Sequence, residues 1–239
     1  MGVNLRKYSS YSDLSVTYYS YPPVVHSCLI LDNIKRVSTN VRGEKTDTLL
    51  DIATSCNGYV TSAQATDAGI PRRKLTDAVS AGKLVRVDRG LYALPDVWED
   101  PLYITQRRFS RGVFSDDTAL FLHGMTDRAP FAPTMTFPRS YNATAARAAG
   151  IICRTCADDV LDLGLCDVKT EYGNAVRAYD VERTLCDLVR GQGTPDAQLV
   201  TPAMKSYVRS KICDPMKLVE YARALGVEAK IRNYLEVLL

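Results

Sequence analysis

The sequence predicts an α+β chain, in which an N-terminal winged helix-turn-helix is followed by a mixed α/β domain ending in a helical bundle. Three observations carry that class. Residues 58–95, GYVTSAQATDAGIPRRKLTDAVSAGKLVRVDRGLYALP, break into two short helical patterns and a hairpin. Residues 134–137, 150–154 and 176–179 read as short strands between turn residues. From Asp180 to the C terminus, helical patterns follow one another with brief interruptions.

In the first unit, Thr46 to Cys56 reads as a leading helix. Thr61 can cap a second helix through Ala68, which Gly69 stops. Pro71 suits the first position of a third, because its missing N–H would be unpaired there anyway. That helix is expected to run to about Ala81, with Gly82 as its stop. Leu75, Ala78 and Val79 share one face of it; Arg73, Thr76, Asp77 and Ser80 share the opposite one. Residues 84–87 and 91–94 read as two strands around the Asp88-Arg89-Gly90 turn.

This order normally sets the third helix in the DNA major groove and the hairpin on the flanking backbone. Arg72, Arg73 and Lys74 open the recognition helix, where arginine can grip guanine O6 and N7 with two hydrogen bonds. Arg73 is the base-reading candidate, with Thr76 and Ser80 on its face. Lys83, Arg86 and Arg89 suit phosphates, and Ser62 and Gln64 of the second helix complete the candidate DNA-binding set. Taken one by one, these charges are equally read as solvated surface, since Asp67, Asp77 and Asp88 lie among them.

Residues 1–43 read as a flexible arm, crowded with Ser and Tyr between Tyr8 and Tyr21; the winged helix spans 44–95 and the α/β domain 96–239. In that domain Asp100-Pro101 opens a helix toward Arg111, residues 113–115 are extended, and Asp116 to His123 form a helix stopped by Gly124. Asp180 caps a helix through Arg190, and helices are expected over about 196–210, 214–225 and 227–239.

The totals exclude several classes. In 239 residues there are 30 basic and 27 acidic ones, a net charge of +3, too balanced for a general nucleic-acid coat. Any DNA contact must come from local placement. Seven scattered cysteines fit a reducing cytoplasm better than a disulfide scaffold. No apolar run reaches membrane-spanning length, and the apolar run at 24–31 lies too far from Arg6 and Lys7 for a secretory signal.

Enzymatic chemistry finds little purchase. Asp167-Val-Lys169 has the form used by metal-dependent nucleases, with Asp158, Asp159 and Asp162 upstream, but three letters arise often by chance. Cys153-x-x-Cys156 lacks the second pair a structural zinc needs, so buried thiols are the better reading. His123 sits at a helix end, where a cation suits the dipole. Gly191-Gln-Gly193 follows a helix rather than preceding one and reads as a terminator. Neither metal nor other cofactor is implied.

Three stretches together resemble the AbiEi family of bacterial antitoxins: GIPRRKL…AGKLVRVDRGLYALP, FSDDTALFLHGMTDRAP at 114–130, and GNAVRAYDVERTLCDLVR at 173–190. The tail, with Ala203-Met-Lys-Ser-Tyr207 and Leu218-Val-Glu-Tyr-Ala222, is similar too. Pro71 departs from the pattern, since similar sequences commonly place a capping Ser there. The resemblance implies a non-enzymatic, phage-defence antitoxin that binds inverted repeats in its own promoter and represses its operon. It also implies that the C-terminal domain counters a nucleotidyltransferase-like toxin, either directly or only functionally. The expected partners are therefore double-stranded promoter DNA and that toxin, with no membrane. The protein is expected as a monomer in solution, with two copies on the DNA.

The motif residues Asp180, Glu182, Arg183, Thr184 and Asp187 admit a plainer reading beside toxin contact. Asp180 can cap the helix, and Arg183 and Asp187 stand at ion-pair spacing. A well-capped core helix with a structural Arg–carboxylate network is the reading favoured for each residue. Two readings unconnected to a toxin remain beside the antitoxin: a winged-helix nuclease using Asp167 and Lys169, and a regulator whose second domain senses a ligand.

Overall fold

The computed structural model of the chain describes residues 45–191 and 197–238, so the arm expected over 1–43 lies outside the described residues. The described residues all fall in one compact unit. Among the described residues there are ten α-helices and two sheets, a mixed α/β architecture.

Helix α1, Lys45–Ser55, buries Leu49 and Ala53, one turn apart. The chain then turns through Asn57 and Gly58, both at positive φ, into a short strand, β1, Tyr59–Thr61. A Cβ on Gly58 would stand 2.1 Å from Val97 Cγ2, so only glycine fits. Thr61 caps α2, Ser62–Asp67: its hydroxyl accepts the Gln64 N–H at 3.1 Å, and Gln64 Oε1 accepts the Thr61 N–H at 2.8 Å.

Helix α3 spans Arg72–Ser80. Pro71 is its N-cap rather than its first helical residue, because its ψ of 140° is still extended. Leu75 and Ala78 are buried and Val79 is half-buried. The hairpin follows as β2, Val85–Asp88, and β3, Leu91–Ala93, with a bulge between Arg86 and Asp88. Strand β1, which the sequence reading did not contain, pairs antiparallel with β3 and completes a three-stranded sheet in the order β1-β3-β2. Leu49, Val60, Ile70, Leu75 and Leu84 pack together beneath it.

Asp100 caps α4, Pro101–Arg108. This helix stops short of Arg111 because Phe109 leaves helical geometry, with φ −114° and ψ 58°. Then come β4, Val113–Phe114; α5, Asp116–Leu122; β5, Thr134–Pro138; α6, Thr144–Ala148; and β6, Ile152–Cys156. Strand β6 begins two residues later than its apolar run suggested, because Gly150 at φ +82° closes α6. After a 3-10 turn at Asp158–Val160, β7, Leu165–Lys169, and β8, Ala175–Tyr179, complete a five-stranded sheet in the order β6-β5-β4-β8-β7. The β4–β8 and β5–β6 pairs are parallel; the β4–β5 and β7–β8 pairs are antiparallel.

Helices α7, Val181–Arg190; α8, Ala197–Arg209; α9, Pro215–Ala224; and α10, Glu228–Leu238, form the expected terminal bundle. Its core includes Leu185, Val189, Met204, Tyr207, Leu218 and Ile231. Among the described residues no helix is long and apolar enough to cross a membrane.

Hydrogen bonds, several of them buried, join the two sheets. Tyr59 Oη accepts the Asp100 N–H at 2.9 Å and donates to the Trp98 carbonyl at 3.2 Å. Asp100 Oδ2 accepts from the Thr170 hydroxyl at 2.5 Å and from Asn174 Nδ2 at 2.8 Å. Asn57 Nδ2 donates to the Gly173 carbonyl at 3.0 Å. The turn between β7 and β8 is thus seated against both the α1–β1 turn and the start of α4.

Candidate nucleic-acid interface

Helix α3 turns its apolar face inward and leaves its polar face open. Arg72, Arg73, Thr76 and Ser80 are exposed and Lys74 is half-buried. Arg73, Thr76 and Ser80 recur at i, i+3 and i+7, one side of the helix. None of Arg72, Arg73 and Lys74 enters an ion pair among the described residues.

The other candidates from the first unit fall in two places. Lys83 is exposed in the turn after α3, Arg86 is exposed on β2, and Arg89 is exposed at the hairpin turn. Ser62 lies against that turn, its N–H donating to the Gly90 carbonyl at 2.9 Å. Gln64 is occupied at both ends of its amide: Oε1 takes the Thr61 N–H and Nε2 lies 3.3 Å from Cys56 Sγ. Its side chain therefore serves the helix cap and is not brought to the α3 face.

Two arginines that the sequence reading did not single out stand beside Arg89. Arg107 and Arg108, in the last turn of α4, line an open cleft of about 450 Å³ together with Thr61, Asp88, Arg89 and Gly90. Arg108 Nε lies 3.8 Å from Asp88 Oδ2. A basic pair closing a capped helix was visible in the sequence; its placement against the hairpin was not.

The motif on α7 is built into the interior. Asp180 Oδ1 accepts the Arg183 N–H at 2.9 Å as N-cap, and the Thr184 hydroxyl donates to the Asp180 carbonyl at 2.7 Å. Lys217 Nζ lies 2.9 Å from Asp180 Oδ2 and 3.1 Å from Glu182 Oε2. Tyr207 Oη donates to Glu182 Oε1 at 3.0 Å. Arg183 Nε pairs with Asp187 Oδ2 at 2.8 Å, while its Nη1 donates to the Val160 and Leu163 carbonyls at 2.6 and 2.9 Å. The guanidinium also stacks over the Tyr179 ring at 4.3 Å.

Burial raises the Asp187 carboxyl above its ordinary range, and Arg183 only partly offsets it. For Lys217 burial acts downward, but the Asp180 and Glu182 carboxylates outweigh it and hold the ammonium above its ordinary range. Among the described residues no buried side-chain nitrogen or oxygen lacks a hydrogen-bond partner. These five residues spend their polar groups on one another, on Tyr207 and Lys217 and on the backbone, which fits the core-helix reading.

The remaining chemical candidates stay apart. Asp167 and Lys169 are exposed on β7, and Asp158 and Asp159 sit in the 3-10 turn. Cys153 and Cys156 lie three apart on β6, so they face opposite sides of the sheet. Burial pushes the Cys166 thiol up to about 11 and the Cys186 thiol up to about 12. His123 follows α5, with Nε2 2.8 Å from the Tyr179 carbonyl. Among the described residues no three His, Cys, Asp or Glu side chains gather to hold a metal ion. A second open cleft, of about 390 Å³, is lined chiefly by apolar side chains that include Leu102, Phe121 and Phe131.

No curated protein matches the chain. Among solved structures, the RV2827C protein from Mycobacterium tuberculosis aligns over 83% of both chains with 13% identity and a TM-score of 0.49. The stretch that holds α2, the open face of α3 and the hairpin is also the stretch a family model recognises. Residues 47–95 match that of the AbiEi antitoxins, a family of transcriptional regulators.

Proposed function

We propose that the chain is a DNA-binding antitoxin that represses its own operon through inverted repeats in the promoter. In this reading residues 44–95 are a winged helix, α3 enters the major groove and the hairpin is the wing. Residues 96–239 are the antitoxin domain, which counters a nucleotidyltransferase-like toxin by contact or by function alone. The protein works in the cytoplasm without a cofactor or catalytic residues, and two monomers meet on the DNA.

One observation carries the reading. Arg73, Thr76 and Ser80 form an open polar face on a helix anchored by Leu75 and Ala78, inside the segment that matches the AbiEi regulators. Arginine on such a face can donate two hydrogen bonds to one guanine, at O6 and N7. Arg86 and Arg89 on the hairpin supply charge that holds the backbone without reading sequence.

The test is a gel shift on DNA from just upstream of the gene, with a salt series. Two stepwise, sequence-selective complexes are the expected result. Binding that fades alike on all sequences as salt rises would remove promoter reading. Co-expression with the neighbouring toxin gene tests the second half: rescue of growth supports the antitoxin role, and continued toxicity counts against it. The cleft beside Phe121 and Phe131 favours one other reading, a regulator whose second domain takes an apolar ligand. A promoter complex released by a small apolar molecule, with no toxin gene adjacent, would favour it.

A further inference from the structure

We propose that the DNA-contacting surface continues past the hairpin onto α4, where Arg107 and Arg89 together grip a backbone phosphate of the flanking duplex. This rests on the promoter-binding reading and extends it into residues outside 47–95. The cleft of about 450 Å³ has one wall from the hairpin turn, one from the start of α2 and one from the end of α4. Three arginines line it, Arg89, Arg107 and Arg108, against a single carboxylate, Asp88.

That carboxylate is already engaged twice. Asp88 Oδ1 accepts the Arg89 N–H at 2.6 Å, and Asp88 Oδ2 faces Arg108 Nε at 3.8 Å. Asp88 and Arg108 therefore act as positioning residues, setting the end of α4 beside the turn of the hairpin. Arg89 and Arg107 keep exposed guanidiniums and enter no ion pair among the described residues. An open cleft edged by planar cationic forks suits a phosphate, which guanidinium binds through paired hydrogen bonds.

Continuity identifies the phosphate as one of a DNA backbone. The Ser62 N–H donates to the Gly90 carbonyl, so the cleft adjoins the helix that leads into α3. A duplex engaged by α3 and flanked by the hairpin would bring its backbone to this edge.

The test compares the full-length wild type with Arg107→Ala, Arg107→Lys and Lys230→Ala in the promoter gel shift across a salt series. Lys230 is an exposed cation on α10 that does not line the cleft. Arg107→Ala is expected to weaken binding about 3- to 10-fold on every sequence and to flatten the log–log salt slope by roughly 0.9, one phosphate's worth. Arg107→Lys should keep most of the slope, and Lys230→Ala all of it.

If wild type selects its promoter while Arg107→Ala keeps the wild-type slope, the α4 contact is refuted and the promoter reading stands. An equal loss in Lys230→Ala refutes it too, because the effect would then be one of overall charge. If wild type itself selects no promoter, the underlying reading fails first. Matching thermal melts of the variants exclude misfolding as the cause.

Discussion

Arg183 and Asp187 form an ion pair at 2.8 Å in which the arginine side chain is only 1% exposed. Breaking it leaves a carboxylate and two backbone carbonyls, those of Val160 and Leu163, without their donor. Arg183→Met should cost about 3–5 kcal/mol, read by urea denaturation. The deficit should shrink in acid. Asp187 is raised in the fold and without Arg183 would rise further, so whatever it contributes is fullest below its ordinary value of 3.8 and is lost as pH climbs through the folded value. A deficit that grows on acidification would contradict this.

Lys217 gives the opposite end of the pH scale. Its folded value is raised above the ordinary 10.5 by Asp180 and Glu182. The stability it supplies is whole below pH 10.5 and is lost as pH rises through the folded value. Burial raises Tyr179 and Tyr207, which penalises their ionised forms in the same direction. Thermal melts from neutral pH to about pH 12 should fall at the alkaline end, less steeply in Lys217→Met than in wild type. Equal slopes would show that the ammonium is not a source of the alkaline loss.

Asp100 holds three partners at once: the Tyr103 N–H at 3.0 Å, the Thr170 hydroxyl and Asn174 Nδ2. Asp100→Ala removes a helix cap and strands buried donors, so a loss of about 2–4 kcal/mol is expected in chemical denaturation. Asp100→Asn should recover part of it through the oxygen it keeps. Wild-type stability of Asp100→Ala would show the turn between β7 and β8 to be seated by other contacts.

Cys186 should resist alkylation. It is fully buried and its thiol is pushed up to about 12, which leaves almost no thiolate near neutral pH. Native-state labelling with N-ethylmaleimide, followed by mass spectrometry, should leave it unmodified until denaturant is added. Rapid native labelling would mean that α7 opens readily.

What the sequence disclosed was local. The Thr61 cap, the buried Leu75 and Ala78, the Asp180 cap and the Arg183–Asp187 pair all follow from spacings of a few residues, where one turn of helix fixes who meets whom. What it concealed was long-range. Strand β1 has three residues, Tyr59–Thr61, and exists because Leu91–Ala93 pairs with it from thirty positions away. Strand β7 likewise needs β8 to define it. Gln64 fits either a cap or a DNA contact by type, and only in the fold is its amide seen to be engaged already. Arg107 and Arg108 became candidates through the approach of α4 to the hairpin, which no periodicity records.

Tyr59 is 1% exposed because the chain beyond Pro95 covers it. Its ring lies 5.0 Å from that of Tyr103, its hydroxyl spans Trp98 and Asp100, and it clusters with Leu91, Ala93, Val97 and Ile104. Anyone excising a minimal DNA reader at the hairpin's end would therefore cut through a core, not a linker. The shortest piece that keeps its own lid extends through Phe109, and it carries both α4 arginines with it.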